Sequence, residues 1–261
     1  MRRFVMLPLV AMLAASCSRP AAPAPSGLAY AVRESTRTFG DCGPDTLTCA
    51  RITLHWPEIT AAATPVAAES LNAFVRGWLL RPYSEGPPAA SAAQVMDQFL
   101  DAYRSFLQEF PEGSPPWEFE RWVDVMGDTL GVVSLAARET GFTGGAHGNA
   151  DIQYRNIDAR TGRGLRVADL LAPGARAALD SLAEREFRKV RELSPDQSLT
   201  EAGFWFEGGR FALNENCAVT AAGLRFFFND YEITSHAEGP TEVTLRWADL
   251  GGLVRLPPRA P

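Results

Sequence analysis

Gly141-Phe142-Thr143-Gly144-Gly145-Ala146-His147-Gly148-Asn149 lies between two stretches that read as strands, and its reading decides the fold. Glycines this dense mark backbone that takes positive φ or is approached closely by another group. Before it, Trp117, Phe119, Val123 and Val125 alternate with Glu118, Glu120 and Asp124, the pattern of a half-exposed strand. Gly127-Asp128 is expected to turn the chain, and Thr129 to Arg138 returns as a more uniformly apolar strand. After the loop, Asp151 to Ile157 is another strand, closed by a turn at Asp158 to Gly162. Strands joined this tightly pair antiparallel.

Working outward, Arg51 to Pro57 alternates and stops at proline, as a strand does. Leu71, Phe74, Val75, Trp78 and Leu79 fall on one helical face, and Pro82 ends that helix. Ser91 to Gln94 has the form of a capping box, with Met96, Phe99, Tyr103, Phe106 and Phe110 spaced as a core-facing stripe behind it. Further on, a helix is expected from about Gly174 to Arg191, and a short one starting at Ser194-Pro195. Short strands are expected at 204–206, 211–213, 218–220, 223–228 and 241–247, with Tyr231-Glu232-Ile233 continuing the set. A helical turn or two is expected at 249–254. Helices in two blocks between runs of strands predict an α+β fold, mostly antiparallel sheet with packed helices, in two similar-sized subdomains. The expected boundaries are 28–125 for the first and 126–256, with the glycine-rich loop, for the second, and 257–261 is a tail.

The first residues read as a targeting segment. Arg2 and Arg3 precede an apolar run from Phe4 to Ala15, shorter than the ~20 residues a membrane-spanning helix needs. Leu13-Ala14-Ala15-Ser16-Cys17 resembles a bacterial lipobox, which makes 1–16 a lipoprotein signal peptide and Cys17 the lipidated residue. The 17–27 stretch alternates proline with alanine and reads as an extended tether. Ser18, where an aspartate would favour inner-membrane retention, places the expected anchor on the periplasmic face of a Gram-negative outer membrane. A net charge of −6, a single lysine (Lys189) and scattered arginines argue against a nucleic-acid partner. Cys42 and Cys49 enclose the turn-forming Gly43-Pro44-Asp45, so an exported chain is expected to link them. Cys217 is then a buried free thiol.

Gly144-Gly145-Ala146-His147-Gly148 is followed by Asn156-Ile157-Asp158 and Thr161-Gly162, then by Leu165 and Asp169-Leu170-Leu171. Gly223-Leu224, Phe226, Phe228 and Tyr231-Glu232-Ile233 complete the set. This order of motifs resembles domain-of-unknown-function family 3298. The part containing Trp56-Pro57 and the Leu71–Leu80 helix is similar to the companion domain ahead of it. Proteins of this kind include the extracellular part of a lysozyme-binding anti-sigma factor and the non-catalytic part of a peptidoglycan deacetylase. The resemblance implies an envelope-facing α+β recognition module and transfers no catalytic residue. Neither a transmembrane helix nor a deacetylase catalytic domain is expected here.

Chemistry-bearing motifs are sparse. There is no Gly-x-Ser-x-Gly, His-Glu-x-x-His or phosphate-binding loop. His55, His147 and His236 are far apart in sequence, and a metal site built from two of them plus a carboxylate has few ligands to draw on. His147 reads either as a hairpin-tip residue bonded to a nearby carbonyl or as a group offered to a ligand. Gly144, Gly145 and Gly148 meet a backbone demand or form a small anion nest, and Tyr231 reads as a buried, satisfied tyrosine or as a contact residue. The candidate binding set is Gly144, Gly145, His147, Asn149 and Tyr231, with no catalytic residue, metal or cofactor expected. Two function classes stand: a lipid-anchored binding module for a cell-wall glycan, peptide or protein such as lysozyme, and an envelope glycan hydrolase or deacetylase-like enzyme using His147 with Asp151 or Glu139.

Overall fold

A computed structural model describes residues 27–43, 46, 48–113 and 115–257. The lipobox with Cys17, nearly all of the tether and most of the tail lie outside the described residues. The architecture is α+β. Six strands form one sheet in chain order: β1 (Ala29–Gly40), β2 (Cys49–Ala61), β3 (Trp117–Thr129), β4 (Val132–Phe142), β5 (Asn149–Asp158) and β6 (Gly164–Leu165). Every neighbouring pair is antiparallel except β2 and β3, which run parallel. A parallel pair needs a long crossover, and here it holds α1 (Pro65–Leu79) and α2 (Ala92–Glu109).

The caps explain where these helices start. Thr64 accepts the Ala67 N–H at 3.1 Å ahead of Pro65, and Ser91 accepts the Gln94 N–H at 3.2 Å. Gln94 reaches back to the Ala90 N–H at 2.7 Å, one residue beyond the cap itself. Leu71, Val75, Trp78 and Leu79 of α1 pack on Val123, Leu135 and Ile157 of the sheet. Met96, Phe99 and Tyr103 of α2 pack on Ile52, Leu54, Trp117 and Phe119, so the aromatic stripe is core, as its spacing predicts. Cys42 and Cys49 are joined by a disulfide, and Cys217 is a buried free thiol.

The second layer is a three-stranded antiparallel sheet, β7 (Cys217–Val219), β8 (Gly223–Phe228) and β9 (Thr241–Arg246), against α4 (Arg176–Val190). Two short helices, α3 (Val167–Leu170) and α5 (Trp247–Leu250), flank it. Leu179, Ala183 and Phe187 of α4 meet Phe226, Phe228, Val243 and Leu245 in its core. The core around α4 is built from residues after 164 together with Val132 of β4, and the expected division between 125 and 126 falls inside β3.

Polar side chains tie the two layers together. Asn156 of β5 donates to Cys217 O at 2.7 Å and accepts the Val219 N–H at 3.1 Å, with the Ser134 hydroxyl 2.7 Å away. β5 pairs with β6 over only two residues, leaving most of its outer edge open. Asparagines close it: Asn216 bonds Tyr154 N and Ile152 O at 2.7 Å each, and Asn229 bonds Ile152 N at 2.8 Å and Ile152 O at 3.1 Å. An edge amide or carbonyl left bare beside a second layer would be costly. These bonds fix the segment after Asn229 beside the start of β5.

Several local expectations are corrected. The β3–β4 turn is at Leu130-Gly131, both at positive φ, and Gly127 (φ 140°) instead follows a bulge at Met126. β1 has no counterpart among the expected strands, because most of its residues are exposed and no apolar periodicity marks it. Residues 204–206 and 211–213 are not strands. Phe204, Phe206 and Phe211 come from irregular backbone and close around Phe187 at centroid separations of 5.0–5.5 Å. Ser194-Pro195 starts a turn rather than a helix. Tyr231-Glu232 is also a turn, with Tyr231 at φ 61°.

Candidate functional site

The β4–β5 connection carries the site. Within it Gly144 is at φ 84°, a conformation that favours glycine, while Gly145 is not at positive φ and a Cβ there would meet nothing. Gly148 is needed for close approach, since a Cβ would stand 3.0 Å from Gly141 O. The backbone-demand reading therefore holds at Gly144 and Gly148 and not at Gly145.

His147 is exposed at the tip. Its Nδ1 lies 3.0 Å from Gly148 O, within hydrogen-bond reach of that carbonyl. Tyr231 Oη approaches Nε2 at 3.5 Å. The imidazole stacks on His236 at 4.0 Å between centroids and 20° between planes, and Tyr231 stacks on His236 at 5.7 Å and 19°. His236 Nδ1 in turn lies 3.2 Å from Asp230 Oδ2, while Asp230 Oδ1 is buried without a partner. Tyr231 is 55% exposed, which overturns the buried-tyrosine expectation. A bulky residue at positive φ is strained, and strain of this kind collects at functional sites.

Behind the loop opens a cleft of about 560 Å³, lined by Tyr83, Phe119, Glu139, Thr143, His147, Asn149 and Asp151 among others. Tyr83 and Phe119 meet edge to face at 5.3 Å and 87°. Glu139 is held by cations: its Oε2 accepts from Arg121 Nε at 2.7 Å and from Arg81 at 2.9 Å. Arg121 is almost fully buried and also donates to Leu79 O and Arg81 O, closing the C-terminal end of α1. Burial pushes the Asp151 carboxyl above its usual range; Arg81 opposes this, and Glu139 and Glu232 add to it. Burial, with Glu139 nearby, also raises the Tyr83 hydroxyl.

The structure thus brings Gly145, His147 and Asn149 to the cleft, with Tyr231 at its rim and Glu139 and Asp151 inside. It does not bring in His55, which faces Glu34 at 3.5 Å. His236 and Asp230 are additions that sequence spacing did not reveal. Bonds between the layers, the asparagine ties on β5 among them, bring them to His147, and the one local signal was the break at Asn229-Asp230. No group of three or more His, Cys, Asp or Glu able to hold a metal occurs among the described residues.

The site and fold define an α+β module with a polar, ring-rimmed cleft beside the β4–β5 loop, at one end of the strands of its larger sheet. Residues 45–150 match the family described as Deacetylase PdaC, and residues 168–248 match Protein of unknown function (DUF3298). The two matches follow one another along the chain, and the glycine-rich loop lies within the first; it and residues 156–162 fall outside the 168–248 match, which corrects their expected place in that family. No curated protein matches the chain. Among solved structures, a DUF3298 family member from Bacteroides fragilis superposes with a TM-score of 0.68 at 19% identity, over 88% of this chain and 95% of that one. A DUF3298 family protein from Pseudomonas aeruginosa gives a TM-score of 0.65 at 22% identity, over 87% and 94%. These likenesses establish the fold. Together the two domains indicate an envelope-associated module.

Proposed function

We propose that this protein is a lipid-anchored binding module of the cell envelope, which takes a cell-wall glycan, peptide or protein ligand in the cleft behind the Gly144–Asn149 loop. The observation that carries this reading is the stack of His147, His236 and Tyr231 at the mouth of the cleft. Three rings from two layers meet there, and one of them is held on strained, exposed backbone. Flat, half-polar rings that are already ordered lose little entropy when a ligand packs on them. The anchor rests on the small residues leading to Cys17.

The second reading, an envelope glycan hydrolase or deacetylase-like enzyme, is favoured by one fact: His147 shares the cleft with Glu139 and Asp151. Against it, His147 bonds Gly148 O and approaches Tyr231 rather than a carboxylate, and Glu139 is occupied by Arg81 and Arg121. A general base must reach the proton it takes.

The test is capture from envelope extract by the full chain and by its Tyr231→Ala variant. A specific partner that wild type retains and the variant loses, with no chemical change to it, supports recognition; hydrolysed or deacetylated product in the eluate would move the assignment to the enzyme. For the anchor, Cys17→Ser should abolish lipid labelling and release the protein from the membrane fraction, and a variant still labelled and anchored would refute it.

A further inference from the structure

Glu139 and Asp151 stand opposite one another across β4 and β5, and both line the cleft. Like charges in that register repel, and the fold relieves only one of them. Glu139 takes two arginines, whereas among the described residues Asp151 accepts no hydrogen bond and has no cation within ion-pair distance. Arg81, the cation that acts on it, is turned to Glu139 and lies over the Trp78 ring at 3.7 Å. The charged groups that act on Asp151 are Arg81, Glu139 and Glu232, with Arg121 spent on Glu139, and the titratable side chains of His147 and Tyr83 line the same cleft. Counted with Asp151, the carboxylates outnumber the arginines by one.

Two further acceptors share the space. Thr143 and Asn149 line the same cleft, and neither side chain makes a hydrogen bond among the described residues. The remaining wall is the Tyr83–Phe119 ring pair. Three acceptors from separate backbone positions, one of them ionic, suit the three diverging donors of an ammonium better than the planar fork of a guanidinium. Rings beside them suit the carbon skeleton that carries it.

We propose that the cleft binds a primary ammonium group, held by the Asp151 carboxylate with Thr143 and Asn149, with the ligand's carbon body against Tyr83 and Phe119. This rests on the cleft being the ligand site. The amine can come from a de-N-acetylated amino sugar or from a lysine-like side chain, which present the same group. Binding turns on the ionised carboxylate, so it is lost as pH falls through the Asp151 pKa, which lies above the ordinary aspartate value.

Calorimetric titration of the full chain with a glucosamine tetramer, its fully N-acetylated counterpart and trilysine tests this. At least one amine probe is expected to bind at least tenfold more tightly than the neutral tetramer, and added salt should weaken it. Preference between the tetramer and trilysine separates the sugar source from the peptide source. Asp151→Asn should reduce amine binding about tenfold, and Thr143→Val provides a second, neutral truncation that should weaken it with no change of charge. Equal affinity for the neutral tetramer, an unaffected Asp151→Asn variant, or no amine binding at all would overturn the proposal. The cleft reading itself is decided separately, by whether Tyr231→Ala loses the partner captured from envelope extract.

Discussion

His147→Ala separates a structural role for the loop tip from a recognition role. The side chain is exposed, and alanine removes one bond to the neighbouring Gly148 O, a 3.5 Å approach to Tyr231 and the stack on His236. No buried partner is orphaned. An exposed bond and a ring contact together contribute about 1 kcal/mol or less. In a domain of this size about 1 kcal/mol corresponds to roughly 2–4 °C in Tm. Asn156→Ala is the contrast. It leaves the buried Cys217 carbonyl without its 2.7 Å donor and opens a small void between the layers, although Ser134 still meets the Val219 N–H at 3.1 Å. An orphaned buried acceptor costs about 1–3 kcal/mol, so its melting loss should be roughly twice that of His147→Ala or more. Thermal melting of the three proteins beside capture from envelope extract gives the answer. The expected result is a small melting loss with weakened capture for His147→Ala. A loss as large as that of Asn156→Ala, with capture unchanged, would refute the recognition role.

Gly144→Ala should cost about 1 kcal/mol in urea unfolding because the residue is at φ 84°, while Gly145→Ala should be nearly neutral because nothing surrounds it; equal effects would contradict the loop geometry. Reducing the Cys42–Cys49 disulfide should lower stability by about 2–3 kcal/mol, the loop-entropy value for so short a ring, and the unreduced protein should yield the linked peptide in mass spectrometry. Asp151 has a folded-state pKa raised by burial, so its charged form opposes folding above that pKa and the penalty fades as pH falls through it. Asp151→Asn should therefore raise Tm at pH 7 and lose that advantage in acid, and a lowered Tm at pH 7 would mean the carboxylate has a stabilising partner.

The three long helices α1, α2 and α4 were legible in the sequence because their apolar positions repeat at the helical period, and Ser91 marked the start of α2. Strands β2 and β3 were legible because buried and outward-facing side chains alternate along them, β4 because it is a continuous apolar run and β5 because turn residues bound it; the disulfide was legible from two cysteines around a turn. What failed is where tertiary packing, not local pattern, sets the conformation. β1 is mostly exposed and gains its place by pairing along β2. The phenylalanines at 204, 206 and 211 mimic strands, yet they are packed on Phe187 from irregular backbone. Of the site, the sequence by itself marked the glycines, His147, Asn149 and Tyr231, because glycine density and stranded polar residues are local properties. Only the tertiary structure decided that His236 stacks on His147, that Asp230 stands behind it, and that Glu139 is neutralised while Asp151 is not. Those outcomes depend on asparagines 216 and 229 closing the edge of β5, and on Arg121 reaching from β3 to the end of α1. Long-range bonds of that kind leave no periodic trace in the chain.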